Sequence, residues 1–227
     1  IMIIKRNTER LLHLTNQLLD FRKAEKEMFK LNFIKTDLYE LVESIYNLFL
    51  PYCVEKSISV QLHSPVNKYN LAVDREAITK ILSNLLSNAL KFAESRIDLF
   101  LEPETKKDNI IRIRVKSDGK LIPKELKDKI FEPFYQIDFN KPGEKGTGLG
   151  LSLARSLAEL HHGRLILDVD ENNYNSFILE LVKCHEESIS DKTESDEISL
   201  SEQQEFEIFG SLENSSKNIL LVEDEIE

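Results

Sequence analysis

The feature that most constrains this chain is a cluster of glycines that leads into a helix. Four of the seven glycines, Gly143, Gly146, Gly148 and Gly150, fall within eight residues. Glycine lets a backbone approach another group closely, and successive N–H groups at a helix N-terminus form an anion site. A simple helix-entry loop would not need three alternate glycines. The Gly-Thr-Gly-Leu-Gly-Leu pattern of residues 146–151 therefore favours phosphate binding over that alternative.

Two common phosphate-binding motifs do not fit this cluster. No Gly-Lys-Ser/Thr ends it, as a Walker A motif requires, and no β-α-β unit surrounds it, as a dinucleotide fold requires. The net charge of −10 argues against nucleic-acid binding driven by overall charge. That acidity is uneven, because residues 186–216 hold ten acidic residues and one lysine, whereas residues 1–185 are nearly neutral. We predict that this acidic segment is a disordered linker.

Hydrophobic periodicity predicts the elements between these regions. Helices are predicted at 1–30, from Asp37 to Pro51, at 75–93, 123–131 and 148–162, and strands at 57–63, 70–74, 96–102, 110–116, 164–170 and 174–183. In the first helix, apolar residues at alternating three- and four-residue spacings form a seam, which favours a partner helix over packing on its own domain. His161 and His162 are predicted to be capping cations and Gly163 to be the C-terminal cap of the last helix.

Three further segments contain residues suited to ligand binding. On the helix of residues 75–93, Asn84, Asn88 and Lys91 are spaced for one face; these suit Mg²⁺ and phosphate, or are solvent-facing polar positions. The carboxylate of Asp118 suits the exocyclic amine of a purine, although a plain Asp-Gly turn explains it equally simply. The aromatic residues from Phe131 to Tyr135 suit either core packing or the hinge of a lid.

The order of these motifs resembles the N, G1, F and G2 boxes of bacterial sensor histidine kinases. The boxes are Asn84-Leu-Leu-Ser-Asn88-Ala-Leu-Lys91-Phe92, Asp118-Gly119, Phe131-Glu-Pro-Phe134 and Gly146-Thr-Gly-Leu-Gly150-Leu. The resemblance implies an α+β fold, a two-layer α/β sandwich of the gyrase and histidine-kinase type at residues 37–184. It also implies a preceding dimerisation helix in residues 1–33, the second helix of a phosphotransfer hairpin. Residues 185–216 would be the linker, and residues 217–227 would be the first strand of a receiver domain.

The resemblance also implies roles for individual residues. Asn88 would coordinate Mg²⁺ on the ATP phosphates, with Asn84 in support, and Lys91 would contact phosphate. The full set of implied ATP-binding residues is Asn84, Asn88, Lys91, Phe92, Ser117, Asp118, Gly119, Phe134, Gly146, Thr147, Gly148, Leu149, Gly150 and Leu151. Phe131 and Phe134 would anchor a lid at residues 137–147.

The chain departs from the family pattern at two places. The G1 box usually reads Asp-x-Gly-x-Gly, and alignment on Gly119 puts Ser117 at the position of the adenine-binding Asp. Adenine would then be recognised by Asp118, or by Ser117 through water, or more weakly. The phosphoacceptor histidine would precede Ile1, because His13 lies on the wrong helix and lacks the acidic neighbour and downstream proline.

We therefore expect the ATP-binding region of a hybrid sensor histidine kinase, which transfers phosphate to a histidine and then to a receiver aspartate. The parent protein would be an inner-membrane homodimer joined through helix 1–30, and this part would be cytoplasmic. The partners would be its own phosphotransfer histidine and receiver, without nucleic acid. The alternative is a degenerate ATP-site module that signals by dimerisation alone. A gyrase-type ATPase fits less well, because of the first helix and the receiver strand.

Overall fold

The computed structural model describes residues 2–25, 30–103, 109–137, 147–169 and 174–183. The elements in chain order are α1 (Met2–Glu25), β1 (Ile34–Asp37), α2 (Leu38–Glu55), β2 (Ser59–His63), β3 (Asn70–Val73), α3 (Arg75–Phe92), β4 (Arg96–Glu102), β5 (Ile110–Ser117), α4 (Gly150–Leu160), β6 (Arg164–Val169) and β7 (Asn175–Val182). None of the described helices is long and apolar enough to cross a membrane. The predicted linker and receiver strand lie outside the described residues.

Five strands form the main sheet in the order β2-β4-β5-β7-β6, and β1 pairs separately with β3. β2 runs parallel to β4, whereas the other three neighbouring pairs are antiparallel. Buried residues alternate along β5, so Ile111, Ile113 and Val115 face the helix layer. Because α2, α3 and α4 pack against the sheet, the domain is the predicted two-layer α/β sandwich.

Helix α3 lies in the middle of the helix layer, where it contacts α2, α4 and strand β5. Ile78, Ile81 and Leu82 are fully buried, as the strong apolar periodicity of residues 75–93 predicts. Asp74 caps the first turn, where its Oδ1 accepts a hydrogen bond from the N–H of Ala77 at 2.8 Å. This helix begins and ends within one residue of its predicted bounds.

Two elements near the N-terminus differ from the prediction. Helix α2 does not end at Pro51 but continues to Glu55. Proline removes one intrahelical hydrogen bond, but the ring of Pro51 is exposed, and the face that holds Phe49 and Cys53 stays buried in the core. Strand β1 was not predicted, because Ile34–Asp37 contains a single apolar residue and directly precedes α2.

The loops on either side of α4 also differ. The predicted helix at 123–131 is two single turns of 3-10 helix, Lys124–Leu126 and Lys129–Phe131. The residue with a left-handed backbone after α4 is His162, with a φ of +56°, so Gly163 is not the predicted left-handed cap. Gly163 is needed for another reason, since a Cβ there would lie 2.1 Å from the carbonyl oxygen of Glu180.

Helix α1 is shorter than the predicted 1–30, because residues 30–33 are not helical. Its last turns pack on the domain itself: Phe21 and Ala24 are buried, and α1 packs on α4. Asp20 also forms an ion pair with Lys80 of α3 at 2.8 Å, and both side chains are largely shielded from solvent. The end of α1 therefore packs on its own domain, although the sequence favoured a partner helix.

The middle of α1 exposes large apolar side chains. These are Leu11, Leu12, Leu18 and Leu19. Leu11, which is 65% exposed, and Leu18 belong to the predicted seam, so this half of the helix keeps the apolar face that a partner helix would cover.

His161 is buried and neutral, so the prediction that it acts as a capping cation is wrong. The residue is only 3% exposed, and its Nδ1 donates to the carbonyl of Leu157 at 2.9 Å. Its Nε2 accepts from the N–H of Asp74 at 3.2 Å, which requires an unprotonated nitrogen. Burial lowers the pKa of His161, and the hydrogen bond to Leu157 and the nearby Asp74 only partly oppose it. The neutral ring thus joins the end of α4 to the start of α3.

This arrangement predicts a loss of stability in mild acid. The unfolded chain binds a proton at His161 below a pH of about 6.5, whereas the folded chain resists it, so acidification favours unfolding. The free energy of unfolding should fall between pH 7 and 5.5, by at most about 1 kcal/mol from this group. Urea unfolding across that range measures the effect.

The matched variants are His161→Gln, which has no titrating ring, and His162→Asn at the exposed neighbour. The first should show a flatter dependence on pH, and the second should keep most of the wild-type slope. An unchanged slope in His161→Gln would show that another group causes the acid sensitivity.

Candidate functional site

The described part of the glycine cluster begins at Thr147 and leads directly into α4, whereas Gly143 and Gly146 lie outside the described residues. Gly148 has a φ of +73°, and its carbonyl accepts a hydrogen bond from the N–H of Phe134 at 2.9 Å. A Cβ on Gly148 would lie 2.6 Å from the carbonyl carbon of Phe134. The backbone of this loop is therefore held in a form that only glycine adopts without strain.

The first turn of α4 has the properties of an anion site. Its N-cap residue is Leu149, and no described side chain caps the turn beyond it. The N–H groups of a helix's first turn have no intrahelical acceptor and carry the positive end of the helix dipole. The side chains of Leu149 and Leu151 pack toward the core, so this turn presents backbone rather than side chains. An anion here would bind to backbone N–H groups.

Gly150 brings α4 into contact with Asn84 of α3. A Cβ on Gly150 would lie 2.6 Å from Oδ1 of Asn84, so the glycine leaves room for this amide. The other end of the amide is fixed, because Nδ2 donates to the carbonyl of Lys80 at 2.9 Å. The amide oxygen of Asn84 is therefore placed beside the N-terminus of α4, as the sequence motifs suggested.

The other predicted residues of α3 continue along the helix from Asn84. Asn88 is half-buried, and none of the described residues forms a hydrogen bond with its side chain. Lys91 and Phe92 are also half-buried, and the Nζ of Lys91 lies 5.1 Å from the centroid of the Phe92 ring. Amide oxygens and an ammonium group on a helix that contacts the N-terminus of α4 suit a phosphate group with a divalent cation.

Asp118 is committed to the protein rather than available to a ligand. Its two carboxylate oxygens accept hydrogen bonds from the N–H groups of Glu94, Ser95 and Arg96 at 3.0–3.1 Å, and from the hydroxyl of Ser95 at 2.6 Å. Burial alone would raise the pKa of Asp118, but these hydrogen bonds outweigh it and lower the pKa. Asp118 thus fixes the loop between α3 and β4.

Gly119, next to Asp118, lets the end of β5 touch α3. A Cβ on Gly119 would lie 2.1 Å from the carbonyl oxygen of Phe92. Ser117 is buried on the helix-facing side of β5, beside Asn175 in the register of β5 and β7. The site is therefore bounded along α3 by Gly150 at one end and by Gly119 at the other.

The two predicted lid anchors behave differently. The ring of Phe131 is buried, packs edge to face with Phe177 and lies under the guanidinium of Arg155, 4.3 Å from it. The side chain of Phe134 is 62% exposed, and its contact with Gly148 is made by its backbone, with a φ of +64°. Phe131 therefore packs in the core, which is one of the two roles that the sequence left open, whereas Phe134 contacts the glycine loop through its N–H. Most of the predicted lid, residues 137–147, lies outside the described residues.

The contacts of α1 with this site were not predicted from the sequence. The hydroxyl of Thr147 donates to Oε1 of Gln17 at 3.1 Å and accepts from the N–H of Leu149 at 3.1 Å. Asp20, three residues after Gln17 on the same helix face, pairs with Lys80, which precedes Asn84 by one turn. The sequence does contain a signal for these contacts. Gln17 and Asp20 share one helix face with Phe21 and Ala24, and a face that combines polar and apolar residues in this way indicates packing on the chain's own domain.

Comparison with known proteins gives one family. Residues 73–185 match the profile of the "histidine kinase-, DNA gyrase B-, and HSP90-like ATPase" family. Histidine kinase P4 of Formosa agariphila is 32% identical over 234 residues, which cover 99% of this chain and 17% of P4. The chain thus spans about a sixth of the length of this curated relative.

Solved structures agree with that match. The catalytic domain of histidine kinase ThkA is 31% identical with a TM-score of 0.59, covering 67% of this chain and 99% of that domain. A structure of ThkA in complex with the response regulator TrrA is 27% identical with a TM-score of 0.63, covering 80% of this chain and 50% of that one. Full-length ShkA in complex with AMPPNP has the same fold, with 22% identity, a TM-score of 0.71, and coverage of 81% of this chain and 38% of that one.

The two glycines of the loop should differ in their tolerance of a side chain. Gly148→Ala introduces a Cβ against the backbone of Phe134, at a position where the φ angle is left-handed. The free energy of unfolding should therefore fall by about 1–3 kcal/mol. Gly150→Ala meets only the end of the Asn84 side chain and gains helix propensity, so its cost should stay below about 1 kcal/mol. Urea unfolding of both variants tests this, and an equal or larger cost at Gly150 would contradict the described loop geometry.

Proposed function

We propose that this chain acts within a hybrid sensor kinase. The chain belongs to the family of histidine kinase-, DNA gyrase B- and HSP90-like ATPases. It carries the catalytic ATP-binding domain of a sensor histidine kinase, which is a phosphotransferase of two-component signalling. In the proposed hybrid kinase the γ-phosphoryl group of ATP passes to a histidine and then to a receiver aspartate. The observation that carries the proposal is the contact of Asn84 with Gly150, which joins an amide-bearing helix to a helix N-terminus built for anions.

The residues present fit a Mg²⁺ ion bound together with the ATP phosphates. Mg²⁺ prefers hard oxygen ligands, keeps most of its waters and takes few protein groups. The amide of Asn88 suits this need, because it lies one turn from Asn84 and has no partner among the described residues. When bound, the ion would neutralise charge on the phosphate oxygens.

The remaining groups of the site position the nucleotide. The N–H groups at the start of α4 would bind phosphate oxygens, and Lys91 would add a positive charge beside them. Asn84 would act as a positioning residue, since its amide is fixed between Lys80 and Gly150. Phosphoryl transfer depends mostly on such positioning and charge stabilisation, so no nucleophilic side chain is needed in this domain.

The acceptor and partners of the proposed kinase lie beyond this domain. We propose that the acceptor histidine lies on the other helix of the phosphotransfer hairpin, because His13 lacks the acidic neighbour and downstream proline of the acceptor box. The exposed leucines of α1 support a homodimer through residues 1–30. The ThkA complex with a response regulator supports a receiver as the second acceptor, and Glu223 with Asp224 would match the acidic pair of its first strand. The parent protein would reach the membrane through other segments.

One observation favours a second candidate function. Because Asp118 is taken up by the loop of residues 94–96, the site has no free carboxylate at the G1 position to select adenine. The domain would then be a degenerate module that signals by dimerisation without phosphoryl transfer. Nucleotide binding separates the two candidates, because only the kinase requires it.

Titration with Mg²⁺ and AMPPNP, a non-hydrolysable analogue of ATP, tests the proposed kinase site. The wild-type chain should bind, and Asn88→Ala should bind at least tenfold more weakly, because hydrogen bonds and contacts to charged groups contribute about 1.5–3 kcal/mol. The variant should still fold, since Asn88 has no partner among the described residues and Ala favours helix. Isothermal titration calorimetry gives both affinities.

Asn47→Ala is the matched control, because Asn47 is exposed in the middle of α2. It should bind the nucleotide as the wild type does. Wild-type affinity in Asn88→Ala would contradict the assigned role. Absence of binding by the wild type at millimolar nucleotide would favour the degenerate module.

A further inference from the structure

The site is long enough to place both ends of a nucleotide. Asn84 meets Gly150 at one end, and Phe92 meets Gly119 at the other. The eight residue steps from Asn84 to Phe92 rise along α3 by about 12 Å, comparable to the distance from the phosphates of a nucleoside triphosphate to its base. If the phosphates lie at the start of α4, which rests on the proposed function, the base lies beside Phe92, Ser117 and Gly119.

The carboxylate nearest to this end cannot read the base. Both oxygens of Asp118 accept hydrogen bonds from the loop of residues 94–96, including two from Ser95 to Oδ2 at 2.6 and 3.0 Å. A base amine would have to displace one of these bonds, and the loop N–H groups would lose their acceptor. Asp118 is therefore a structural residue.

The side-chain amide of Asn175, which lies nearby, also forms its hydrogen bonds within the protein. Asn175 lies opposite Ser117 in the register of β5 and β7. Its Nδ2 donates to the carbonyl of Lys120 at 3.0 Å, and its Oδ1 accepts from the N–H of Ile122 at 3.0 Å. Asn175 thus holds the loop after β5 and offers no group to a base.

Beside Asp118 and Asn175, the third polar side chain at this end of the site is that of Ser117. It continues the buried, helix-facing row of β5, and no hydrogen bond among the described residues involves its hydroxyl. A hydroxyl both donates and accepts, whereas an ionised carboxylate only accepts. At the 6-position of a purine, a carboxylate therefore selects an amine over a carbonyl oxygen, whereas a hydroxyl serves both alike.

We propose that Ser117 is the residue that contacts the purine base, and that the site accepts 6-amino and 6-oxo purine nucleotides with affinities within about tenfold of each other. ATP and GTP analogues would both bind. A site that reads an exocyclic group through a dedicated polar partner can discriminate by several orders of magnitude, and the described contacts leave no such partner here.

The experiment compares the affinities of the 227-residue chain for Mg²⁺-AMPPNP and Mg²⁺-GMPPNP by calorimetry. The wild-type ratio should be below about ten. Ser117→Asp should raise the preference for the adenine nucleotide by at least tenfold, since it supplies an acceptor-only group. Ser117→Ala should weaken both nucleotides by about two- to tenfold and leave the ratio unchanged.

Asp118→Asn is the matched control, and it keeps the test valid if Ser117→Asp does not fold. It should leave the ratio of the two affinities unchanged, because Asp118 faces the loop of residues 94–96. A wild-type preference for AMPPNP above tenfold, or a ratio that changes in Asp118→Asn, would overturn the proposal while the kinase assignment stands. Binding of neither nucleotide would overturn the kinase assignment and this proposal together.

Discussion

Glycine leaves room where a Cβ would collide with a neighbouring group, and the site depends on this lack of a side chain at both ends of α3. Gly150 makes room for the amide of Asn84, and Gly119 makes room for the carbonyl of Phe92. Gly148 meets the same kind of limit against the backbone of Phe134. The three glycines together bring α4, β5 and the loop after Phe131 around one helix, and the anion-binding turn is placed as a result.

Two polar contacts link the site to α1. Thr147 stands between the loop and Gln17, and Lys80 stands between Asn84 and Asp20. An ion pair that is shielded from solvent gains only part of its Coulomb energy, because both charges must be desolvated. The ion pair between Asp20 and Lys80 fixes the position of the last turns of α1 against α3, the helix that carries the site. Movement of α1 would therefore disturb the residues that we propose to bind the nucleotide.

Much of this arrangement could be predicted from the sequence, and the failures have physical causes. The periodicity of residues 75–93 predicted the main helix, and the family resemblance of the motifs assigned Asn84, Asn88 and Gly150 to one site. The commitment of Asp118 could not be seen, because its partners at residues 94–96 come from a loop with no pattern. His161 was misassigned because a helix-end histidine reads as a cation unless its burial is known. The docking of α1 was underestimated because its apolar seam continues from a buried end into an exposed middle.

Amide hydrogen exchange with and without Mg²⁺-AMPPNP tests the central claim most directly, because it reports on the backbone N–H groups assigned to the phosphates. The account predicts that peptides covering residues 147–153 and 84–92 exchange more slowly with nucleotide bound, while strands β2 and β4 change little. Slowed exchange confined to other parts of the chain, with residues 147–153 unaffected, would contradict the placement of the phosphate site at the N-terminus of α4.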